Sequence, residues 1–166
     1  MNRKYETIIH PLEPLYNEQP KILILGSFPS VKTREYGFFY GHPQNRFWKL
    51  MERIFEVDLN TTIEYRKKFL LEHKIALYDS IYQCDIIGSS DSSIKNVVAS
   101  NLSKIVQNSN IEQVFCNGKA SFKCYEKYQQ QNLKIKATKL PSTSPANARY
   151  SLDDLFEQWK VIAKYL

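Results

Sequence analysis

An alternation of short apolar runs with amphipathic segments constrains the fold of this chain more than any other feature. Four runs have the length and composition of buried strands: KILIL at 21–25, IALYDSI at 75–81, QVFC at 113–116 and KIKATKL at 134–140. Segments with helical patterns lie between them. Because alternating strands and helices favour a parallel sheet covered on both faces, the sequence predicts a three-layer α/β/α sandwich with a central, mainly parallel four-stranded sheet.

A stripe of apolar residues predicts the best-defined helix. Its members are spaced so that they share one face of a helix: Phe47, Leu50, Met51, Ile54 and Phe55. Asn45 precedes the stripe at the place of an N-cap, where a side-chain oxygen accepts a hydrogen bond from a free backbone N–H.

Capping patterns predict two further helices. The TTIE sequence at 61–64 is a capping-box pattern that opens a helix running toward Glu72. Ser151 with Asp154 caps a C-terminal helix, whose apolar face contains Leu152, Leu155, Phe156, Trp159, Ile162 and Ala163. Less regular patterns predict helices at 101–108 and 119–130, and a loop at 89–96.

Length and composition indicate one globular domain over residues 1–166. No stretch approaches the ~20 apolar residues of a membrane span, and the N-terminal sequence MNRKYETIIHPLEP has no apolar signal-peptide core. A cytoplasmic protein without membrane contact is therefore expected. The net charge of +6 and the pI near 9.1 are compatible with a polyanionic partner, and the eleven tyrosines include candidates for base stacking.

The cysteines do not indicate a metal or redox site. Cys84, Cys116 and Cys124 are odd in number and scattered, and no CxxC pair occurs. We expect three reduced thiols in or near the core.

The polar segments of the chain follow the ends of the predicted strands. They are GSFPS at 26–30, GHPQN at 41–45, Asn117-Gly118 and LPSTSPANA at 140–148. Because ligands of open α/β sheets bind beyond the carboxyl ends of the strands, these segments are predicted to form one site.

The residue types at this edge suit a planar heterocycle attached to a phosphate backbone. The connection from Gly26 to Asn45 is long for a strand-to-helix loop, and long loops are commonly functional. Neither a GxxxxGK[ST] loop nor a GxGxxG fingerprint occurs, and no metal-ligand cluster or nucleophile elbow is visible. A site rich in Asn, Ser and Thr suits a reaction through a stabilised cation and a positioned water, such as hydrolysis of an N-glycosidic bond.

Four motifs, GSFPS, YGHPQNRFW, VFCNG and LPSTSPANA, together resemble the uracil-DNA glycosylase superfamily, in particular its hypoxanthine (deoxyinosine) DNA glycosylases. The resemblance covers roughly residues 8 to 160. HPxNRFW is also similar to mismatch-specific uracil/thymine glycosylases, so LPSTSPANA is the more discriminating motif.

The resemblance implies a catalytic role for Asn45. The mismatch-specific relatives position the attacking water with the Asn of GINPG, where this chain has Phe28, so the role moves to Asn45. Uracil glycosylases use a His in the last motif, and Leu140 takes that place here. Hypoxanthine is therefore favoured over uracil as the excised base.

The same resemblance implies the other site residues. Tyr40, or its neighbour Phe39, would stack on the flipped base, and Asn117 would bind the edge of the base. Phe28 is also implied to contact the base. Phosphate and duplex contacts are implied for Ser142, Thr143, Ser144, Asn147 and Arg149. Supporting roles are implied for Gly26, Ser27 and His42, and His42 is more simply read as structural.

These expectations define a monofunctional glycosylase without a metal or organic cofactor. It would act as a monomer on damaged double-stranded or single-stranded DNA in a bacterial-type cytoplasm, with access to the nucleoid. Three alternatives stay open: a uracil or mismatch-specific glycosylase, a non-catalytic nucleic-acid-binding domain, and a nucleoside or nucleotide hydrolase. Asn45 as a simple helix cap and Asn117 as a turn residue also remain possible.

Overall fold

The computed structural model describes residues 4–166, in which seven strands form two sheets. The strands are β1 (Glu6–Ile9), β2 (Ile22–Gly26), β3 (Ile75–Asp79), β4 (Ile81–Ile86), β5 (Lys95–Ala99), β6 (Gln113–Asn117) and β7 (Ala137–Leu140). The larger sheet has the order β3-β2-β6-β7, and all three of its strand pairs are parallel. The predicted four-stranded parallel sheet is therefore confirmed.

Helices flank this sheet. They are α1 (Val31–Tyr36), α2 (Phe47–Phe55), α3 (Ile63–Glu72), α4 (Ser103–Gln107), α5 (Lys119–Tyr128), α6 (Gln130–Leu133) and α7 (Leu152–Trp159), with short 3₁₀ segments at Asp91–Ser93 and Lys160–Tyr165. α2 packs against α7, and α5 packs against β6 and β7. The α/β/α class is confirmed. α1 lies inside the long connection that the sequence analysis treated as a loop.

A second sheet was not predicted. It is antiparallel and has the order β1-β4-β5. The run at 75–81, predicted as one strand, divides at Ser80, whose N–H donates to Gly26 O while its carbonyl accepts from Ser100 N. The predicted loop at 89–96 contains a 3₁₀ turn and the start of β5. These strands were missed because β1 and β5 are mostly exposed and carry only two or three consecutive apolar residues each.

The helix starts agree with the capping patterns to within one residue. Asn45 Oδ1 accepts from Phe47 N at 2.9 Å, as a cap does, although Arg46 directly precedes the first helical residue. At α3 the cap is Thr62 rather than Thr61, since the Thr62 hydroxyl accepts from a backbone N–H of the first turn. The capping box of Ser151 with α7 is present as predicted.

The core lies on both sides of the parallel sheet, and β2 and β3 are buried along their whole length. Trp159 and Ile162 are buried as predicted, whereas Ala163 is exposed because the helix has become a 3₁₀ segment there. All three cysteines are free and buried, as expected. Among residues 4–166, no helix is both long and apolar enough to cross a membrane.

Candidate active site

A cleft of about 1080 Å³ opens at the carboxyl edge of the parallel sheet. All four polar segments reach it, so the predicted convergence is correct. Its lining includes every predicted site residue except His42: Gly26, Ser27, Phe28, Phe39, Tyr40, Asn45, Asn117, Ser142, Thr143, Ser144, Asn147 and Arg149. Within the described part of the chain, no group of three or more His, Cys, Asp or Glu side chains could hold a metal ion.

A hydrogen-bonded chain of three side chains forms the wall of this cleft. Asn117 Nδ2 donates to Thr143 Oγ1 at 3.0 Å, and Thr143 Oγ1 donates to Asn45 Oδ1 at 2.8 Å. Thr143 N also donates to Asn117 Oδ1 at 3.0 Å. Asn45 lies just before α2, Asn117 ends β6, and Thr143 lies in the loop after β7, so the chain joins three parts of the fold.

The backbone determines the orientation of both amides. Because Phe47 N donates to the Asn45 side chain, the atom that accepts is Oδ1. Because Thr143 N donates to Asn117, the accepting atom there is also Oδ1. Asn45 Oδ1 therefore accepts two hydrogen bonds, and its Nδ2 is left as a donor toward the cleft. One N–H of Asn117 is also left over.

Thr143 occupies a different place from the predicted phosphate contact. Its side chain is fully buried, and its hydroxyl lies between the two asparagines. A phosphate outside the cleft cannot reach it. Thr143 is therefore a positioning residue for Asn45 and Asn117.

Arg46 attaches the loop after β7 to the start of α2. Its guanidinium donates to three backbone carbonyls of that loop, those of Ser144, Asn147 and Tyr150. Its backbone N–H donates to the carbonyl of Thr143 at 3.0 Å. A planar guanidinium can bind several carbonyls at once. Arg46 therefore fixes the loop that contains Thr143, and so keeps the Thr143 hydroxyl within hydrogen-bond distance of Asn45. Arg46 was not among the predicted site residues, although it lies within the HPQNRFW motif.

The aromatic candidates differ in their placement. Tyr40 has a left-handed backbone (φ 56°), and its ring stacks on Phe47 with centroids 4.1 Å apart. Phe39 is almost fully buried between Phe38 and Tyr78. Phe28 is also buried, and its ring meets that of His10 edge to face. Tyr40 is the half-buried one of the three, which makes its ring the best-placed platform for a base.

The remaining predicted residues form the rim. Ser142 Oγ accepts from Ser144 N, and Ser144 Oγ accepts from Ala146 N, so each hydroxyl proton is left to donate outward. Asn147 Nδ2 donates to Ser142 O, so this side-chain amide makes a hydrogen bond within its own loop. Arg149 is exposed at the rim.

Two residues with predicted supporting roles make hydrogen bonds within the loops. Ser27 Oγ donates to Asp91 Oδ1 at 3.3 Å. His42 lies outside the cleft lining, and its Nδ1 accepts from Gln44 N in a turn.

The cleft also contains residues that were not predicted to belong to the site. Asp79 ends β3 and is 4% exposed, and His10 from the second sheet lies 2.7 Å from it. Three lysines line the rim: Lys119, Lys123 and Lys139. The sequence pattern could have identified Asp79 as a site residue, since it is the one acidic residue at the carboxyl end of a predicted strand. No sequence pattern identifies His10.

The fold and the cleft define an α/β/α domain whose ligand site is built from amides, hydroxyls and an aromatic platform at the carboxyl edge of a parallel sheet. The family model of the uracil DNA glycosylase superfamily matches residues 13–164. The chain belongs to this superfamily, as the motifs predicted.

Curated relatives agree with this assignment. A hypoxanthine DNA glycosylase of Methanosarcina barkeri is 35% identical over 114 residues, which is 65% of this chain and 70% of that protein. A hypoxanthine DNA glycosylase of Methanosarcina acetivorans is 28% identical over 151 residues, covering 90% of this chain and 94% of that protein.

The fold agrees as well. The solution NMR structure of a candidate uracil DNA glycosylase from Methanosarcina acetivorans superimposes with a TM-score of 0.78 at 27% identity. The superposition covers 95% of this chain and 98% of that one. Together the family and the relatives support a DNA glycosylase that acts in DNA repair.

Proposed function

We propose that this protein hydrolyses the N-glycosidic bond of deoxyinosine in DNA and releases hypoxanthine, without forming a covalent bond to the sugar. The observation that carries the proposal is the oriented chain Asn117–Thr143–Asn45 beside the Tyr40 ring. It places a fixed amide donor and an aromatic face in one cleft. Both relatives named above are described as hypoxanthine DNA glycosylases.

The water is held by Asn45. Its Nδ2 donates to the oxygen of a water molecule and sets the direction of attack on the sugar. Because the glycosidic bond stretches first and the sugar becomes cationic, the water needs positioning more than activation. The two hydrogen bonds on Asn45 Oδ1 keep the amide from rotating, so the donor stays aimed at the cleft.

The base is held by Tyr40 and Asn117. The flipped base stacks on the free face of Tyr40, whose other face is supported by Phe47. The remaining N–H of Asn117 donates to O6 of hypoxanthine, where negative charge develops as the base departs. Flipping costs a few kcal/mol and less at a mispaired base, which favours inosine over normal bases.

The rim binds the DNA backbone. The outward hydroxyl protons of Ser142 and Ser144 suit phosphate oxygens, and the three rim lysines and Arg149 supply positive charge. The net charge of +6 agrees with this role. Both double-stranded and single-stranded DNA are substrates in this proposal, and the protein acts as a monomer.

The test measures base release from short labelled duplexes that carry one deoxyinosine or one deoxyuridine opposite each normal base. Alkali converts any abasic site into a strand break. We expect breaks at inosine with the wild type and a loss of at least about a hundredfold with Asn45→Ala, in the range of lost water-positioning groups. Asn132→Ala, an exposed asparagine in α6, is the matched control and should keep full activity.

The outcomes separate the open alternatives. Release of uracil in preference to hypoxanthine would show that the protein is a uracil glycosylase. It would also show that Leu140, in the place of the uracil glycosylases' His, does not disfavour uracil. Salt-dependent binding without release of any base would favour a non-catalytic DNA-binding domain. Strand cleavage without alkali would contradict the absence of a covalent intermediate.

A further inference from the structure

The positive charge of this protein is concentrated in one short segment of the chain. Residues 119–139 contain six lysines and a single acidic residue, Glu126, so this segment carries +5 of the net charge of +6. All six lysines are exposed, and together they are called the lysine track: Lys119, Lys123, Lys127, Lys134, Lys136 and Lys139. Charge that is clustered in this way indicates a surface for a polyanion.

No carboxylate of the described chain neutralises the lysine track. Among residues 4–166, every salt bridge is made by other basic side chains. Glu126 shares α5 with three lysines of the track and forms no salt bridge with them. The six ammonium groups are therefore available to a ligand.

The spacing of the lysines on α5 suits a phosphate backbone. Lys119, Lys123 and Lys127 are four residues apart and so share one face of the helix. At a rise of about 1.5 Å per residue, successive lysines stand about 6 Å apart along the axis. One strand of duplex DNA carries a charge every 3.4 Å or so, and two such steps span about 7 Å. Each lysine can therefore meet a different phosphate of the same strand.

The lysine track begins at the cleft and continues away from it. β7 packs beside α5, and its Lys139 lines the cleft together with the first two lysines of α5. The other three, called the outer lysines, lie outside the cleft lining. Lys127 is in the last turn of α5, and Lys134 and Lys136 lie between α6 and β7. DNA bound at the rim can therefore stay in contact with positive charge as it leaves the cleft.

Another part of the cleft lining has the opposite character. Residues 26–30 and 89–92 contribute one carboxylate, that of Asp91, and neither segment contains a lysine or an arginine. A polyanion over the cleft is therefore attracted toward α5 and β7.

The composition of the lysine track favours DNA over an acidic protein as its partner. Protein interfaces have a core rich in apolar and aromatic side chains, whereas Tyr128 is the one exposed large hydrophobic residue of the segment 119–139. Lysine is a flexible point charge that contacts phosphates without reading the sequence. The track also joins the cleft in which the damaged nucleotide is proposed to bind.

We propose that the lysine track binds the phosphate backbone of intact duplex DNA that extends beyond the lesion. The outer lysines then add phosphate contacts outside the cleft, so the protein holds undamaged DNA without flipping a base. This inference deepens the proposed function and rests on it only for the position of the lesion in the cleft.

The first experiment measures equilibrium binding of an undamaged labelled duplex of about 30 base pairs, roughly three helical turns, over a series of salt concentrations. The outer lysines are replaced together in the variant Lys127→Gln/Lys134→Gln/Lys136→Gln. Each phosphate contact contributes about 0.9 to the slope of log K against log salt concentration. We therefore expect the slope to become shallower by about 2–3 and the affinity at about 0.1 M salt to fall at least tenfold.

A matched control separates the lysine track from net charge. Lys4→Gln/Lys21→Gln/Lys68→Gln removes the same charge from exposed positions outside the cleft lining. This variant should keep the wild-type slope and lose less than about twofold in affinity. Equal losses in the two variants would overturn the proposal. An unchanged slope in the variant of the outer lysines would also overturn it and assign the track to a partner other than DNA.

The second experiment uses the wild type alone, so it decides even if the variant of the outer lysines fails to fold. An acetylating ester modifies exposed lysines, and mass spectrometry after proteolysis gives the rate at each one with and without the undamaged duplex. We expect the outer lysines to react at least about threefold more slowly in the complex, because ammonium groups paired with phosphates are shielded. The three control lysines should keep their rates.

These measurements require no release of a base, so the two proposals can fail separately. A wild type that is inactive on every duplex, but whose outer lysines are protected by DNA, would refute the proposed function and leave the role of the lysine track standing. An active wild type whose outer lysines stay fully reactive in the DNA complex would refute the role of the track alone.

Discussion

The hydroxyl group of Thr143 is predicted to contribute several kcal/mol to the free energy of unfolding, although it lies in a loop. It donates to Asn45 Oδ1 at 2.8 Å and accepts from Asn117 Nδ2 at 3.0 Å, in a fully buried position. Thr143→Val removes both hydrogen bonds and keeps nearly the same volume, so no cavity is created.

The expected loss follows from these two contacts. Each buried hydrogen bond contributes about 1 kcal/mol net, and a buried donor or acceptor left without a partner costs about 1–3 kcal/mol. We therefore expect Thr143→Val to lower the free energy of unfolding by about 2–4 kcal/mol. Thr143→Ser keeps the hydroxyl and loses one buried methyl group, which costs about 1 kcal/mol.

Chemical denaturation measures these losses, and single-turnover release of hypoxanthine measures the effect on the site. Asn45 keeps only its bond to Phe47 N in the valine variant, so we expect release to slow at least about tenfold, while the serine variant stays close to the wild type. A valine variant as stable and active as the wild type would refute the reasoning. So would a serine variant that is impaired as much as the valine variant.

Three further predictions test other contacts. Gly26→Ala places Cβ against Asp79 Oδ1, and we expect chemical denaturation to show a loss of about 1–3 kcal/mol, with slower base release. Arg46→Lys places all donors on one nitrogen, which cannot span the three carbonyls that two guanidinium nitrogens bind. The loop after β7 should therefore exchange its amide hydrogens faster and DNA should bind more weakly, whereas unchanged exchange would contradict the assigned role. Burial raises the pKa of the Cys84 and Cys124 thiols to about 11. The thiols of the unfolded chain titrate near pH ~8.5, so between that pH and about 11 the folded protein retains protons that the unfolded chain releases. The melting temperature should therefore fall as the pH rises from about 8.5 toward 11. The fall should be less steep in Cys84→Ala, which has one buried thiol fewer.

Much of the fold could be read from local patterns. The buried strands carry unbroken apolar runs, and the stripe that begins at Phe47 has the period of a helix, so both elements were predicted correctly. The capping box at Ser151 is also local, since its partners are three residues apart. The second sheet could not be predicted in this way, because its exposed strands are determined by their pairing with β4 rather than by their own composition.

The sequence by itself determined which segments meet at the cleft, because parallel strands bring their carboxyl ends to one edge. It also determined the residue types available there. Only the tertiary structure decided how those residues are connected. Thr143 reaches an asparagine 98 residues away, and His10 reaches Asp79 across 69 residues. Such contacts leave no periodicity in the chain, since they depend on the packing of elements that are remote in sequence.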